Sequence, residues 1–126
     1  MQETILIYKL DSHIRMIIEK ICLQLDILVK EIDEIDVCQK MGYLLSIEGF
    51  ERLEDIDFDG NLDKEFLYFA NMTDQQLDIL LDVFKGAGIP MIPYKAKLTS
   101  TNLDYRFHEL YKNVEHEYKS MTGVMN

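Results

Sequence analysis

The most constraining feature of the sequence is a short apolar run followed at once by a capped amphipathic helix. Residues 4–8 are continuous, apolar and rich in β-branched side chains, which is typical of a strand covered on both faces. Asp11 and Ser12 then supply N-cap oxygens, and apolar side chains recur at helical spacing from Ile14 to Leu25. Because a buried strand needs a layer on each side, this pair of elements predicts a layered α/β fold.

The same alternation of strands and helices continues along the chain. Residues 27–32 predict a second strand at an edge of the sheet, and a short helix or turn is expected over residues 34–45. Residues 66–70 predict a third strand. Thr73 and Gln76 then form a capping box, in which each side chain accepts a hydrogen bond from the other residue's backbone N–H, and a leucine-rich helix follows.

The last third of the chain predicts one more strand and one more helix. Residues 91–99 are expected to form a fourth strand, which Pro93 places near an edge or at a bulge. The final helix is expected to open after residues 100–102 and to carry Leu103, Phe107 and later apolar residues on one face.

These elements predict a mainly parallel four-stranded sheet with helices packed on it, because crossover helices connect parallel strands. The alternative is a ferredoxin-like α+β fold with an extra C-terminal helix, in which residues 34–65 join strands two and three as antiparallel neighbours. No repeat or linker is evident, so residues 1–126 are expected to form a single domain.

Charge and processing signals restrict the partners. The 126 residues contain 13 Lys and Arg against 23 Asp and Glu, a formal charge of −10, which argues against binding to a nucleic-acid backbone. No apolar run is long enough to cross a membrane, and no secretory signal is recognisable. We therefore expect a cytoplasmic protein with no membrane or nucleic-acid partner and with Cys22 and Cys38 as reduced thiols, whereas the oligomeric state stays open.

The acidity is concentrated in residues 48–65, where eight acids stand against Arg52 and Lys64. Asp55, Asp57 and Asp59 match the first positions of a calcium-binding EF-hand loop. The position that normally carries a bidentate Glu is occupied by Phe66, however, and no helix pattern follows it. The segment is therefore interpreted as a solvated acidic excursion, with calcium binding as the alternative.

The candidate ligand site is a polar cluster that follows the fourth strand. It comprises Lys95, Thr99, Thr101 and Asn102. Ligands of parallel α/β sheets bind outside the carboxyl ends of the strands, and a helix N-terminus there attracts an anion. If strands one, three and four are parallel, Asp11 and residues 71–73 gather at the same edge of the sheet.

The second half of the chain resembles a known family. The string Lys95-Ala96-x-Leu98-Thr99-x-Thr101-Asn102, with residues 109–111 beyond it, is similar to a bacterial family catalogued as domain of unknown function 3783, most clearly over residues 66–118. This resemblance implies a bacterial cytoplasmic protein. It brings no activity, substrate or catalytic residue to transfer.

Three functional hypotheses follow. The first is a non-enzymatic domain that binds a partner protein or a small anion at Lys95, Thr99, Thr101 and Asn102. The second is a metal-binding module built on the acidic excursion. The third is an enzyme with an acid–base pair such as Asp11 and Lys95, although no catalytic or cofactor-binding motif supports it and no cofactor is expected.

Overall fold

The fold, taken from a computed structural model, is described for residues 2–54, 58 and 60–123. Four strands and four α-helices are present in these ranges, together with two 3₁₀ turns at Glu34–Asp36 and Asn102–Asp104. The strands and helices, in chain order, are β1 (Thr4–Tyr8), α1 (Ser12–Gln24), β2 (Leu28–Glu31), α2 (Met41–Leu44), β3 (Phe66–Ala70), α3 (Asp74–Gly86), β4 (Tyr94–Lys97) and α4 (Phe107–Gly123).

The strands form one mixed sheet in the order β2-β1-β3-β4. The β1–β2 and β3–β4 pairs are parallel, as an α/β sheet predicts, but the central β1–β3 pair is antiparallel. The prediction of a mainly parallel sheet is thus confirmed for two of the three strand pairs, but the condition that strands one, three and four are all parallel is not met. The ferredoxin-like alternative was wrong, because β2 lies beside β1 at an edge and is not a neighbour of β3.

The sheet consists of two similar β-α-β units related by a local two-fold axis. Thr4 and Phe66 both begin a central strand, and the offset of 62 positions between them also relates the helix caps Asp11 and Thr73. In the antiparallel pair, Leu6 lies opposite Tyr68, which is its own equivalent at this offset. The axis therefore passes through this residue pair. The sequence showed no repeat, because side-chain identity between the units is nearly absent.

Local backbone geometry supports the equivalence of the two units. Lys9 and Asn71, again 62 positions apart, both adopt positive φ angles of 55° and 67° directly after their strands. Asp26 and Gly88 do the same after the helices, with φ of 57° and 85°. Each unit thus uses a left-handed residue to turn from strand to helix and another to turn from helix to strand.

Each face of the sheet carries its own apolar core. Alternate residues of β1 and β3 point to opposite faces, because side chains alternate along a strand. One core joins the sheet to α1 and α3 and includes Ile5, Ile7, Ile18, Cys22, Leu67, Phe69, Leu80 and Phe84. The other joins it to α2 and α4 and includes Leu6, Tyr8, Met41, Phe66, Tyr68, Phe107, Leu110 and Tyr111. The prediction of a strand buried on both faces is confirmed for β1, and β3 is buried in the same way.

Two expected boundaries differ from the structure. The fourth strand is confined to β4 and not residues 91–99, because residues 90–93 contain two prolines that cannot donate to a sheet. The last helix begins at Phe107, where the Glu109 carboxylate accepts a hydrogen bond from the Arg106 backbone N–H at 2.8 Å. Leu103 therefore belongs to the preceding 3₁₀ turn and not to α4.

The described part of the acidic segment is held to the core by two buried side chains. Gln39 is fully buried and exchanges hydrogen bonds with the Leu53 backbone at 2.7 and 3.1 Å. The Tyr8 hydroxyl donates to the Leu62 carbonyl at 2.8 Å. Because these three hydrogen bonds bridge distant parts of the chain, residues near 53 and 62 are fixed against the α4 face of the sheet.

We expect Tyr8→Phe to lower the free energy of unfolding at neutral pH by about 1 kcal/mol, because the Leu62 carbonyl loses its donor. Burial, assisted by the charges of Glu34, Tyr111 and Asp63, raises the pKa of Tyr8 from 10.0 to about 12. The unfolded chain therefore releases the phenol proton first, and the stabilisation that Tyr8 gives falls as pH rises from 10 to 12.

Urea denaturation of wild type and Tyr8→Phe at several pH values measures this effect. The stability difference is expected to shrink above pH 10. A difference that stays constant up to pH 12 contradicts the assignment.

Candidate functional site

The four residues of the candidate ligand cluster do not form one site. Lys95 lies in register with Leu67 and faces the α3 side of the sheet. The turn that contains Asn102 closes on Tyr68, which belongs to the core on the opposite face. The sheet thus separates Lys95 from Asn102.

Asn102 has a structural role. Its side-chain oxygen accepts hydrogen bonds from the Tyr68 hydroxyl at 2.8 Å and from the Thr99 backbone N–H at 3.0 Å. Its side-chain nitrogen donates to the Lys97 carbonyl at 2.9 Å, and its backbone N–H donates to the Thr99 hydroxyl at 3.0 Å. These bonds connect the end of β4 to the following turn, so the side chains of Asn102 and Thr99 already have hydrogen-bond partners within the protein.

The remaining polar side chains near the end of β4 are exposed. Thr101 makes no capping hydrogen bond through its side chain and lies at the surface. Lys97 forms an ion pair with Asp74, the first residue of α3, and this cation lowers the pKa of the Asp74 carboxyl. An anion arriving at the end of β4 therefore meets a lysine that already has a carboxylate partner.

Lys95 instead lines an apolar cavity between α3 and β4 with a volume of about 390 Å³, a size typical of small-molecule sites. Its apolar wall contains Leu67, Leu81, Phe84, Ile89 and Ile92. The Lys95 ammonium donates to the Ile92 carbonyl at 2.6 Å, and burial lowers the pKa of this amine. The cavity thus combines apolar walls with one partly desolvated cation.

Comparison of the two β-α-β units shows that the cavity is an addition to the repeated framework. In the first unit Ile27 leads directly into β2, whereas its equivalent Ile89 is followed by residues 90–93 before β4 begins. Three of these extra residues line the cavity, namely Pro90, Met91 and Ile92. Thr4 pairs with Leu28 as Phe66 pairs with Tyr94, so the position of Lys95 is taken by Val29 in the first unit. At this position the first unit therefore has an apolar residue, whereas the second unit has a lysine.

The rim of the cavity carries one acidic and one basic side chain. Asp82 and Lys85, on consecutive turns of α3, line its edge and are exposed. Met91 is 80% exposed above the apolar wall.

A second cavity, of about 520 Å³, lies at the carboxyl end of β1. Its cations are Lys9, 3.3 Å from the Glu34 carboxylate, and Arg52, 3.3 Å from the Asp36 carboxylate. Any ligand anion there competes with these intramolecular partners. The cavity also borders Phe58, whose ring stacks on His108 with 4.4 Å between ring centroids.

The metal hypothesis receives no support from residues 2–54, 58 and 60–123, because no three His, Cys, Asp or Glu side chains within these ranges are grouped closely enough to hold an ion. Asp55, Asp57 and Asp59 lie outside the described residues, so calcium binding stays a prediction.

Asp11 caps α1, with its carboxylate accepting from the His13 backbone N–H at 3.0 Å. Across the part of the chain that is described, helices are too short or too polar to cross a bilayer.

The fold and cavity define a small α/β protein with a mixed sheet and a pocket between helix and strand. Residues 65–121 match the model of a family described as a domain of unknown function, DUF3783, which confirms the resemblance found in the sequence. The match covers β3, α3, β4 and most of α4, and thus includes the whole Lys95 cavity. No curated protein and no solved structure matches this chain.

We expect Asn102→Ala to lower the free energy of unfolding by about 2–4 kcal/mol, because the buried Tyr68 hydroxyl and the Lys97 carbonyl lose their partners. Thr101→Ala serves as the control, because that side chain is exposed and caps nothing. Chemical denaturation measures both variants. Equal stability of the two variants contradicts the structural role of Asn102.

Proposed function

We propose that this protein binds a small amphipathic anion, a carboxylate with a short apolar tail, in the cavity between α3 and β4. The observation that carries the proposal is the combination of residues 90–93 and Lys95 in the second unit, where the first unit has a direct connection and Val29. A cation inside an apolar wall destabilises the empty protein, since burial disfavours its charge. A function for Lys95 accounts for that cost.

The chemistry of the cavity selects the ligand class. Leu67, Phe84, Ile89 and Ile92 are all less than 10% exposed and offer an apolar surface to the tail. The Lys95 ammonium has three donors, and the Ile92 carbonyl accepts one of them. A carboxylate beside Lys95 pairs with the positive charge that burial disfavours.

The small volume of the cavity supports a small molecule as the ligand in preference to a protein segment. Among the four ligand-binding residues predicted from the sequence, Lys95 is the one that lines this cavity. Thr99 and Asn102 contribute indirectly, since their hydrogen bonds hold the end of β4 in place. The proposed activity is binding without chemical conversion.

We expect hexanoate to bind the wild-type protein with a Kd of about 1 mM or below, whereas hexanol, which has the same tail and no charge, binds more weakly. Lys95→Met is expected to abolish the preference for hexanoate. This variant retains the fold, because the equivalent residue of the first unit is Val29. NMR titration, followed through the backbone amides of α3 and β4, measures both ligands.

Lys97→Met is the matched control, because Lys97 lies two residues further on the same strand and is ion-paired with Asp74 outside the cavity. It is expected to bind hexanoate as the wild type does. Equal affinity of wild type and Lys95→Met for hexanoate, or equal loss in both variants, contradicts the proposal.

A further inference from the structure

A lysine amine enclosed by apolar side chains has a chemistry that exposed lysines lack. Leu67, Phe84 and Ile92 line the cavity beside Lys95 and leave its amine partly desolvated, and the hydrogen bond to the Ile92 carbonyl orients the nitrogen. Desolvation lowers the pKa of Lys95 and so increases the fraction of neutral amine, the form that attacks carbonyl carbon.

We propose that Lys95 forms an imine with a small apolar aldehyde bound in the cavity between α3 and β4. This inference rests on the proposed function in one respect, namely that the cavity admits small ligands with an apolar tail. The inference goes beyond the proposed function because here Lys95 forms a covalent bond, and the ligand is an uncharged aldehyde. The protein thus captures carbonyl compounds reversibly.

The step is balanced without any redox partner. The lone pair of the neutral Lys95 amine attacks the carbonyl carbon as the carbon–oxygen π bond breaks. The nitrogen then loses one proton and the oxygen gains one, which gives a neutral carbinolamine. Loss of one water molecule then leaves a carbon–nitrogen double bond. The protons exchange with solvent at the open rim of the cavity, where the exposed Asp82 carboxylate lies.

Two other lysines near the cavity lack this environment. Lys97 is ion-paired with Asp74 outside the cavity, and Lys85 is exposed on α3 at its rim. They provide internal controls within one protein molecule.

The test is reductive trapping with hexanal and cyanoborohydride at neutral pH, followed by peptide sequencing in a mass spectrometer. Lys95 is expected to carry at least about fivefold more adduct than Lys97 or Lys85. Saturating hexanoate is expected to protect Lys95 and to leave the labelling of Lys97 unchanged. In Lys95→Met the favoured adduct is expected to disappear while the background on the other lysines persists.

The outcomes separate this inference from the proposed function. If hexanoate binds wild-type protein but hexanal labels Lys95 no more than Lys97, the imine is excluded and the binding function stands. If hexanal labels Lys95 selectively but hexanoate does not bind, the imine stands and the anion-binding function is excluded. If neither compound reaches Lys95, both are excluded.

Discussion

The antiparallel pairing of β1 and β3 is the interaction on which the rest of the structure depends. It joins two β-α-β units across a local two-fold axis at the Leu6–Tyr68 pair. Because the units are related by this axis, α1 and α3 cover the same face of the sheet and leave the other face to α2 and α4. Both faces of β1 and β3 are thereby buried, which is the condition for strands without polar alternation.

The two β-α-β units share the same arrangement of strands and helix, and they differ in the connection from the helix to the second strand. The first unit passes from helix to strand without extra residues, and Arg15 forms an ion pair with Glu31 at 2.8 Å near its edge. In the second unit residues 90–93 separate α3 from β4, and the Lys97–Asp74 pair lies at the corresponding edge. The cavity arises from this difference in connection length, since the inserted residues form one of its walls.

Local signals in the sequence predicted individual elements well. The β-branched run at residues 4–8 and the capping box of Thr73 and Gln76 each correspond to an observed element, because strand propensity and helix capping depend on residues close in sequence. The order and direction of the strands did not follow, because the pairing of β1 with β3 depends on contacts between residues more than 50 positions apart. The repeat also escaped detection, since Ile17/Ile79 and Ile27/Ile89 are the identical pairs at the common offset through residues 4–27.

At the candidate site, too, some features followed from local sequence and others from long-range contacts. Sequence alone singled out Lys95 and Asn102 as neighbours in one polar string, and it predicted a strand at Lys95 and a helix after Asn102. Only the tertiary structure decided that Lys95 faces an apolar cavity and that Asn102 closes a turn on the opposite side of the sheet. The physical reason is that the facing of a side chain depends on which layer packs on each face, and that layer is supplied by residues distant in sequence.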